Sequence, residues 1–516
     1  MVPKATDGTE VRLQHNFISE RSLNDGKNVD SFSPLCRQIL AACAPIAATI
    51  SAGFTIGYSA IFLPQLQSES STIPVTLEQG SWIASLAAFA MAPGCLLGGF
   101  IMQKYGRKFS HYFLCIPTII GWFSIYFAKS IPPILLGRFL TGLATGLLGP
   151  PGTVYIGETR FIFSFRPFIS IFFSSLLPFC FTSYSEPKNR GFLLATITLS
   201  MSFGILLCHI MGTFLDWKTV ALISATTFPS IIFMILSYVP ESPSWLLTQN
   251  RLKEAEEAFL WLRGTSPDAA GELEGLIKKH EITKKEEDAS NVENNFLTKL
   301  KINMRKPEFY KPLGIILLCF FIMQFSGVNS VAFYTVSLMK NVTGPGNEYF
   351  SMIIIDTVRV LSSFVACVLL KMCYRRTLLM ISGTGTAICM IAVSICMYYS
   401  KSNLGNSNIS WLSMIFLIGY ICFISCGLFP LPWVLQGEML QQVTRGLSSG
   451  LTSCFNFICF FIVVKTFVQL SAVMETFGVF MVYALIALFG TLLLYIILPE
   501  TKNRTLQQIE DGFSSK

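Results

Sequence analysis

The stretches PPGTVYIGE (150–158) and PLPWVLQGE (430–438) decide the organisation of this chain, because each ends a long apolar run with a Gly-Glu pair. An Arg-Gly pair follows each of them, at 190–191 and at 445–446. Two more segments of the first half have a similar copy in the second half. GGFIMQKYGRK (98–108) is similar to VLLKMCYRR (368–376), and Pro-Glu-Ser (240–242) is similar to Pro-Glu-Thr (499–501). The chain therefore contains a parallel repeat of two units, a pattern that membrane transport folds often show.

The composition indicates that lipid surrounds most of the chain. The 516 residues are 52% hydrophobic and only 13% charged, with a mean hydropathy of +0.56, whereas a soluble domain carries about 25% charged residues. Crossing a bilayer takes about 20 apolar residues. Twelve runs meet this need, near 37–64, 80–102, 110–129, 133–158, 191–212, 219–239, 312–339, 349–370, 377–399, 410–437, 446–470 and 477–498. We predict an all-α membrane protein with twelve transmembrane helices in two six-helix bundles.

The runs divide the chain into five parts. These are an N-terminal tail (1–36), a first bundle (37–239), a linker with short helices (240–311), a second bundle (312–498) and a C-terminal tail (499–516). The first apolar run is too long for a cleaved signal peptide and is expected to act as an uncleaved anchor. The 15 cysteines show no paired spacing, which favours isolated thiols in the membrane over a disulfide framework or a metal site.

The basic residues predict which side of the membrane each loop faces. Short basic segments follow runs two, eight and ten and precede run five, and the linker 240–311 is also rich in Lys and Arg. All of these segments lie on one side if the chain crosses the membrane once at each of the twelve runs. This side is therefore predicted to be cytoplasmic, together with both termini. The sequons at Asn341 and Asn408 then lie outside, where glycosylation is expected, and the sequon at Asn503 lies inside.

One segment, Arg160–Tyr184, does not fit the repeat. Glu438 and Arg445 are 7 positions apart, whereas Glu158 and Arg190 are 32 apart, an excess of 25 that equals the length of this segment. Counted as a thirteenth crossing, it would reverse every later loop and place the basic linker outside. We interpret it as the product of a retained intron in a cytoplasmic loop. A genuine cytoplasmic hairpin and a splice-regulated isoform remain alternatives.

Seven motifs in order resemble those of the sugar porter family of the major facilitator superfamily, and most closely those of insect trehalose carriers. They are YGRK (105–108), GRFLTGLATG (137–146), VYIGE (154–158), PESPSWLL (240–247), QFSGVN (324–329), PLPWVLQGE (430–438) and PETKNRTL (499–506). The resemblance covers about 37–511 without the insert. It implies the major facilitator fold, with a sugar held between two bundles that rock to open the site to one side at a time.

A sugar pocket needs amides for the hydroxyls and aromatic rings for the faces of the sugar. The residues at the family's sugar-binding positions, or beside them, are Gln324, Asn329, Phe333, Tyr334, Trp433, Asn456 and Thr198. Each buried amide has an alternative reading as an interhelical hydrogen bond that only supports packing. Two positions depart from the family, since Met323 and Thr198 replace glutamines, and this leaves the preferred sugar open.

The resemblance also implies a cytoplasmic gate of Arg–carboxylate pairs, which are strong and geometrically defined. By position its members are Arg107, Arg138, Glu158, Arg190, Glu241, Arg375, Arg376, Glu438, Arg445 and Glu500. The acid that the family carries four residues before the turn's arginine is Gln103 in one half and Lys371 in the other. A weaker gate than usual is therefore expected.

The sequence predicts a facilitative carrier of trehalose or a hexose in the plasma membrane, with a sugar and the bilayer as partners and with no cofactor, metal or nucleic acid. It shows no nucleophile–base pair, metal spacing or phosphate loop, so an enzyme is not expected. Asp356 and Arg359 lie three apart in run eight. They are interpreted as a pair within one helix, and Asp356 as a proton site would instead make the protein a symporter. A non-transporting sugar sensor or a non-functional product is the third reading, although the tail from Pro499 is short for a sensor.

Overall fold

The structure of the protein is a computed structural model that describes residues 34–68, 73–158, 190–264, 267–289, 307–343, 348–402, 407–440, 445–502 and 512–513. Within these ranges the secondary structure is helical and contains no strand, so the predicted all-α class is confirmed. The suspected insert Arg160–Tyr184 lies outside the described residues, as do the side chains of Asn341 and Asn408.

The first half of the chain forms six long helices. They are α1 (Pro34–Leu66), α2 (Leu77–Tyr105), α3 (Arg107–Tyr126), α4 (Ile131–Glu158), α5 (Arg190–Phe214) and α6 (Trp217–Tyr238). Helix α2 begins at a capping box, in which Thr76 and Gln79 exchange side chain to backbone bonds of 3.0 and 3.3 Å, and this satisfies two free amides at the helix start. Gly106 has φ 97°, which lets the chain reverse between α2 and α3 without a side-chain clash.

Three further helices lie in the linker, two of them short: α7 (Pro243–Thr248), α8 (Leu252–Arg263) and the longer α9 (Pro267–Ala289). Described residues of 1–42 and 239–292 form one compact unit, and those of 43–238 and 293–516 form another. The small unit has its own apolar clusters, built around Trp245 and Phe259. Within this unit Gln38 Nε2 of α1 donates to Leu262 O of α8 at 2.9 Å.

The second half contains the other long helices, several of them broken. They are α10 (Pro307–Phe325), α11 (Val328–Phe333), α12 (Thr335–Thr343), α13 (Glu348–Met372), α14 (Arg375–Ser402), α15 (Ser407–Phe423), a π-helical turn (Ile424–Leu428), α16 (Leu431–Met439) and α17 (Arg445–Ile497). Helix α17 is kinked at Glu475, whose φ is 59° and ψ 170°, so predicted runs eleven and twelve meet at this residue.

In the described residues ten helices are long and apolar enough to cross a membrane, and one of them is 50 residues long. That helix contains two predicted runs, and run seven is divided among α10, α11 and α12, so all twelve predicted runs have a helical counterpart. Because successive helices reverse direction, the turns after α2 and after α13 lie at one end of the larger unit. We call this the basic end, after Arg107, Arg375 and Arg376, and the end that carries Glu475 the opposite end.

Helices α2 and α4 approach each other through the glycines of α4. A Cβ added to Gly142 would lie 2.2 Å from Ala87 O, and one added to Gly146 would lie 2.2 Å from Met91 O. These distances leave no room for any side chain. The two helices are therefore in backbone contact, the arrangement that small residues four apart make possible in membranes.

Candidate functional site

A break in the helix that follows the linker creates the centre of the candidate site. Helix α10 ends at Phe325 and α11 starts at Val328, with Gly327 between them at φ 84°. A Cβ on Gly327 would lie 2.4 Å from the ring of Tyr483. A residue without a side chain is therefore required on both steric and conformational grounds.

Three buried amides form a hydrogen-bonded chain across this break. Asn329 Nδ2 donates to Gln324 Oε1 at 2.7 Å, and Gln324 Nε2 donates to Asn456 Oδ1 at 2.8 Å. The three side chains are 7%, 1% and 1% exposed. The structure thus brings together, from α10, α11 and α17, the three amides that the sequence placed in one pocket.

Trp433 contributes the aromatic side of the same region. It lies on α16 just after the π-helical turn, a distortion that is frequent at functional sites. Its ring is partly buried and meets Phe320 edge-on, with centroids 4.9 Å apart, and it lies 6.4 Å from the ring of Phe457. Since Phe320 is on the amide-bearing α10 and Phe457 follows Asn456 directly, Trp433 borders the amide chain.

Two more predicted sugar residues, Phe333 and Tyr334, pack against α17. Phe333 is fully buried and packs edge-on against Phe460 with centroids 5.3 Å apart. Tyr334 stacks on Phe467 and donates its hydroxyl to Val464 O at 3.3 Å. Both rings therefore pack against α17, towards the opposite end. Both rings take part in core packing, and their role in sugar binding stays a prediction.

Thr198 is buried on α5, at a seam between the two halves. One turn further along, the Ser202 hydroxyl lies 3.1 Å from the Ser363 hydroxyl of α13. Helix α5 belongs to the first six-helix half and helix α13 to the second half. This seam therefore contains short polar side chains at the level where the resemblance implies a sugar.

Gln436 is a buried polar residue that the sequence reasoning missed. Its Nε2 lies 2.9–3.0 Å from Ser449 O and from the hydroxyls of Ser449, Thr452 and Ser453. An amide nitrogen has only two hydrogens, so these four acceptors share them. The signal was available, because Gln436 stands inside the repeated run-ten motif, but in sequence it looked like part of the Gly-Glu end.

At the basic end of the second half, Glu438 and Glu500 connect three helices. Arg375 donates to both carboxylate oxygens of Glu438, at 2.8 and 3.4 Å, and Thr501 Oγ1 donates to Glu438 Oε2 at 2.7 Å. Glu500 accepts the backbone N–H groups of Arg375 and Arg376 at 3.1 and 3.2 Å. A carboxylate in that position also offsets the positive end of α14. These contacts all lie inside the second half, and their role in a gate between the two halves stays a prediction.

Several predicted gate members cannot be placed to the same detail. Glu158, Arg190 and Arg445 lie at helix ends whose side chains are outside the described part of the structure. Arg107 follows the Gly106 turn and is partly buried. Glu241, in the smaller unit, accepts the backbone N–H of Ser242 at 2.8 Å. Their role in a gate stays a prediction.

Arg138 does not belong to the basic end, so that part of the gate prediction is wrong. It lies two turns after the start of α4, towards the opposite end, and its side chain is fully buried. Its guanidinium donates to Ile83 O at 3.2 Å, Thr55 O at 3.0 Å and Ser59 Oγ at 2.7 Å. These acceptors are neutral groups of α1 and α2, so Arg138 holds the first half together internally.

Asp356 and Arg359 are paired along α13, as the spacing suggested, with Arg359 Nη1 3.6 Å from Asp356 Oδ1. The carboxylate has a second partner that the sequence did not reveal. His209 on α5 contacts Asp356 Oδ2 through Nδ1, and both side chains are fully buried. His209 is therefore not an isolated histidine, because tertiary packing joins it to the acid of the other half.

Comparison with known proteins decides the family. The family model described as Sugar (and other) transporter matches residues 40–159 and 170–513. The chain belongs to the sugar transporter family. The match is interrupted at 160–169, inside the segment that the internal repeat marks as extra. The similarity extends over both six-helix halves.

Relatives of this sugar transporter include several insect proteins named facilitated trehalose transporter Tret1. The one from Polypedilum vanderplanki is 32% identical over 92% of this chain and 87% of its own length. The one from Culex quinquefasciatus is 30% identical over 92% and 85%. A third, from Anopheles gambiae, is 30% identical, and the chain spans 55% of its length. The predicted resemblance to the insect trehalose carriers is therefore confirmed.

Solved structures show the same fold at low sequence identity. The proton:xylose symporter XylE bound to 6-bromo-6-deoxy-D-glucose has a TM-score of 0.72 and 16% identity, over 93% of this chain and 99% of that protein. The inward-open form of XylE from E. coli has a TM-score of 0.67 and 16% identity, over 91% and 98%. The predicted major facilitator fold is confirmed, and the protein is a multi-pass membrane protein.

Proposed function

We propose that this sugar transporter is a facilitative carrier that moves trehalose or a hexose down its gradient across the plasma membrane, with both termini in the cytoplasm. The observation that carries the proposal is the amide chain of Gln324, Asn329 and Asn456 at the broken helix, bordered by Trp433. Amides pair with sugar hydroxyls in both directions, and an indole ring covers the apolar face of a sugar. The trehalose transporters among its relatives support the substrate class.

In this proposal the sugar exchanges hydrogen bonds with the amide chain rather than adding to an empty surface. Gln324 accepts from one neighbour and donates to the other, so it can turn its free positions to a bound hydroxyl while Asn329 and Asn456 hold it. The breaks at Gly327 and at the π-helical turn free backbone groups beside the site. Non-helical backbone is tolerated at membrane depth where it is buried or lines a cavity.

Alternating access supplies the transport step. In the structure the two halves touch towards the opposite end, where the Lys465 ammonium lies 4.0 Å from the centroid of the Trp82 ring and Ser81 Oγ donates to Lys465 O at 3.4 Å. Separation of these contacts would open the site to that side. Closure of the basic end, through the Glu438 cluster and its first-half counterparts, would then seal the other side.

Transport of labelled sugars tests the proposal directly. The full chain is expressed in a host that lacks its own sugar carriers, and uptake of trehalose and a set of hexoses is measured relative to surface protein. We expect saturable uptake that stops at the external concentration. No uptake of any sugar, with normal surface protein, would overturn the proposal.

A second candidate, proton-coupled sugar symport, is favoured by one observation, the buried contact of Asp356 with His209 between the halves. Intramembrane carboxylates that contact histidine are the groups that proton-driven carriers use. In the same uptake assay a symporter would accumulate sugar above the external concentration and lose this accumulation on addition of a protonophore. A facilitative carrier would show neither effect.

A further inference from the structure

The ring of His209 is held between two oxygen atoms in the buried space between the halves. On one side Nδ1 contacts Asp356 Oδ2, and on the other side Nε2 lies 3.0 Å from Gly57 O of α1. A Cβ on Gly57 would lie 3.1 Å from Nε2, so the absence of a side chain there lets the ring approach. The imidazole bridges α1 and α5 of the first half to α13 of the second.

A hydrogen bond at each of the two ring nitrogens would set the number of protons. A backbone carbonyl can only accept, so Nε2 must carry a hydrogen to bond Gly57 O. An ionised carboxylate also only accepts, so a bond to it requires a second hydrogen, on Nδ1. If Nδ1 carries none, the bond requires a hydrogen on the carboxyl instead. Either way one proton lies between His209 and Asp356 beyond the one that a neutral imidazole carries.

We propose that His209 and Asp356 form a proton-binding site that is occupied while α5 and α13 are in contact and loses its proton when they separate. At neutral pH an isolated imidazole is mostly neutral and an isolated carboxyl mostly ionised, so the separated groups hold one proton fewer than the pair. Acidic conditions then favour the arrangement with the opposite end closed. For a single proton the equilibrium constant changes by up to about tenfold per pH unit.

Charged and polar groups around the pair affect how readily it binds the proton. Arg359 faces the same carboxylate from the next turn of α13, and its Nε and Nη2 have no hydrogen-bond partner among the described residues. Its positive charge opposes uptake of the proton, whereas the Gly57 carbonyl favours it. The other titratable groups nearby are Cys208 beside His209, Tyr58 on α1, Arg138 on α4 and Tyr420 on α15.

The sign of the pH effect follows from the number of protons. The contact state binds the extra proton, so it gains stability as the pH falls and loses it as the pH rises. Removal of the Arg359 charge makes the proton easier to bind. The change from contact to separation should then move to higher pH in Arg359→Gln.

Hydrogen–deuterium exchange of the full chain in lipid nanodiscs tests the site without using transport. Exchange is followed in 205–214 of α5 and 348–357 of α13 between pD 6 and 8, after correction for the intrinsic pH dependence of amide exchange. We expect protection of both segments to fall as the pD rises. His209→Gln and Asp356→Asn should each abolish this dependence, and Arg359→Gln should shift it upward.

His111→Gln is the matched control. His111 is also a buried histidine, but it lies within α3 of the first half, where its Nδ1 is 2.8 Å from Arg107 O of the same helix. This variant should keep the wild-type pD dependence. A wild type without pD dependence, or the same dependence in His209→Gln and in Asp356→Asn, would overturn the proposal. If one variant fails to give folded protein, the other and Arg359→Gln still decide the matter.

The proton site depends on the proposed alternating access only for the role that it would have in transport. If the uptake assay shows no sugar transport but the exchange data show the expected dependence, the proton site stands and the proposed function fails. If sugar transport is found but the pD dependence is missing, the proposed function stands and the proton site fails. The two failures are therefore distinguishable.

Discussion

The two six-helix halves share a sequence repeat but are held together by different contacts. In the first half glycines bring backbones together, as at Gly142 and Gly146 on α4, and also at Gly204, whose added Cβ would lie 2.3 Å from Ile50 O. In the second half the corresponding close approaches are to side chains, such as Gly383 to Thr491 and Gly490 to Ile322. Backbone contacts cannot adjust, whereas side chains can change rotamer.

The buried polar side chains of the two halves also differ, and again those of the second half are less fixed. The buried arginine of the first half, Arg138, is bound by neutral oxygens of its own half. That of the second half, Arg359, has an acid as its partner and two N–H positions without a hydrogen bond. The second half also has the broken helix with the amide chain. The first half therefore resembles a rigid support, and the second half provides the groups that bind and respond.

The largest expected effect comes from placing a side chain in the glycine contact of the first half. Gly142→Val would push its methyl groups against Ala87 O, 2.2 Å from the Cβ position, and α2 and α4 would have to separate. Overpacking costs about 1–3 kcal/mol even where neighbours can move, and here they are backbone. We expect surface protein to fall at least about tenfold, measured by surface labelling.

Gly314→Val is the control, because a Cβ there meets nothing within 4 Å. Gly314 lies in α10 of the second half, so the helical context is similar. Normal surface levels are expected for this variant. Equal losses for both glycines would contradict the rigid-support interpretation of the first half.

The next effect separates the two buried arginines. Arg138→Gln loses at least one of three hydrogen bonds made by a charged group, each of which contributes about 1.5–3 kcal/mol, so thermal stability of the purified protein should fall clearly. Arg359→Gln should change stability less, because two of its N–H groups already lack partners. The measurement is the thermal midpoint by fluorescence-detected size exclusion, and a larger loss for Arg359 would reverse the comparison.

A smaller effect, on binding rather than folding, is expected at the amide chain. Asn329→Ala removes a donor to Gln324 and leaves a sugar hydroxyl unpaired, a cost of about 1–3 kcal/mol. The half-saturation concentration for uptake should rise roughly 5- to 150-fold, and Trp433→Leu should also raise it. Surface protein should stay normal in both variants.

Ser330→Ala is the control for this site. Ser330 follows Asn329 on the same short helix, but its hydroxyl bonds Val463 O at 3.4 Å and not the amide chain. Its half-saturation should be unchanged. Unchanged values for Asn329→Ala and Trp433→Leu would place the sugar elsewhere, and lost surface protein in Asn329→Ala would favour a packing role for the amides.

The smallest effect is expected at the basic end of the second half. Glu438→Gln weakens the bond to Arg375 within the second half. If the cluster also meets its proposed first-half counterparts when the basic end closes, this variant should favour the state that is open at that end. An inhibitor applied from the opposite side should then bind more weakly, by about two- to tenfold, in proportion to the lost fraction of competent states. An inhibitor applied from the side of the basic end should not bind more weakly.

Glu254→Gln provides a comparison on the surface. Arg251 and Glu254 are about half exposed, and ion pairs of this kind contribute little, so no change on either side is expected. Equal weakening from both sides in Glu438→Gln would indicate a folding defect rather than a gate.

The sequence by itself determined the helical class, the positions of the twelve apolar runs, the repeat and the motif that carries Gln324 and Asn329. Apolar runs of about 20 residues have few alternatives to a membrane helix. Gln324 and Asn329 were recognisable because they belong to one short motif beside a glycine that the break in the helix requires. Such local patterns carry their own physical meaning and do not depend on what packs against them.

Only the tertiary structure decided which distant polar groups meet. Arg138 belongs to an arginine motif in the sequence, but its neutral partners follow from the packing of α4 against α1 and α2. His209 and Asp356 are 147 positions apart, and neither spacing nor composition connects them. Their contact arises because α5 and α13 pack together across the two halves, where a buried imidazole and a buried carboxylate are stabilised by a hydrogen-bond partner.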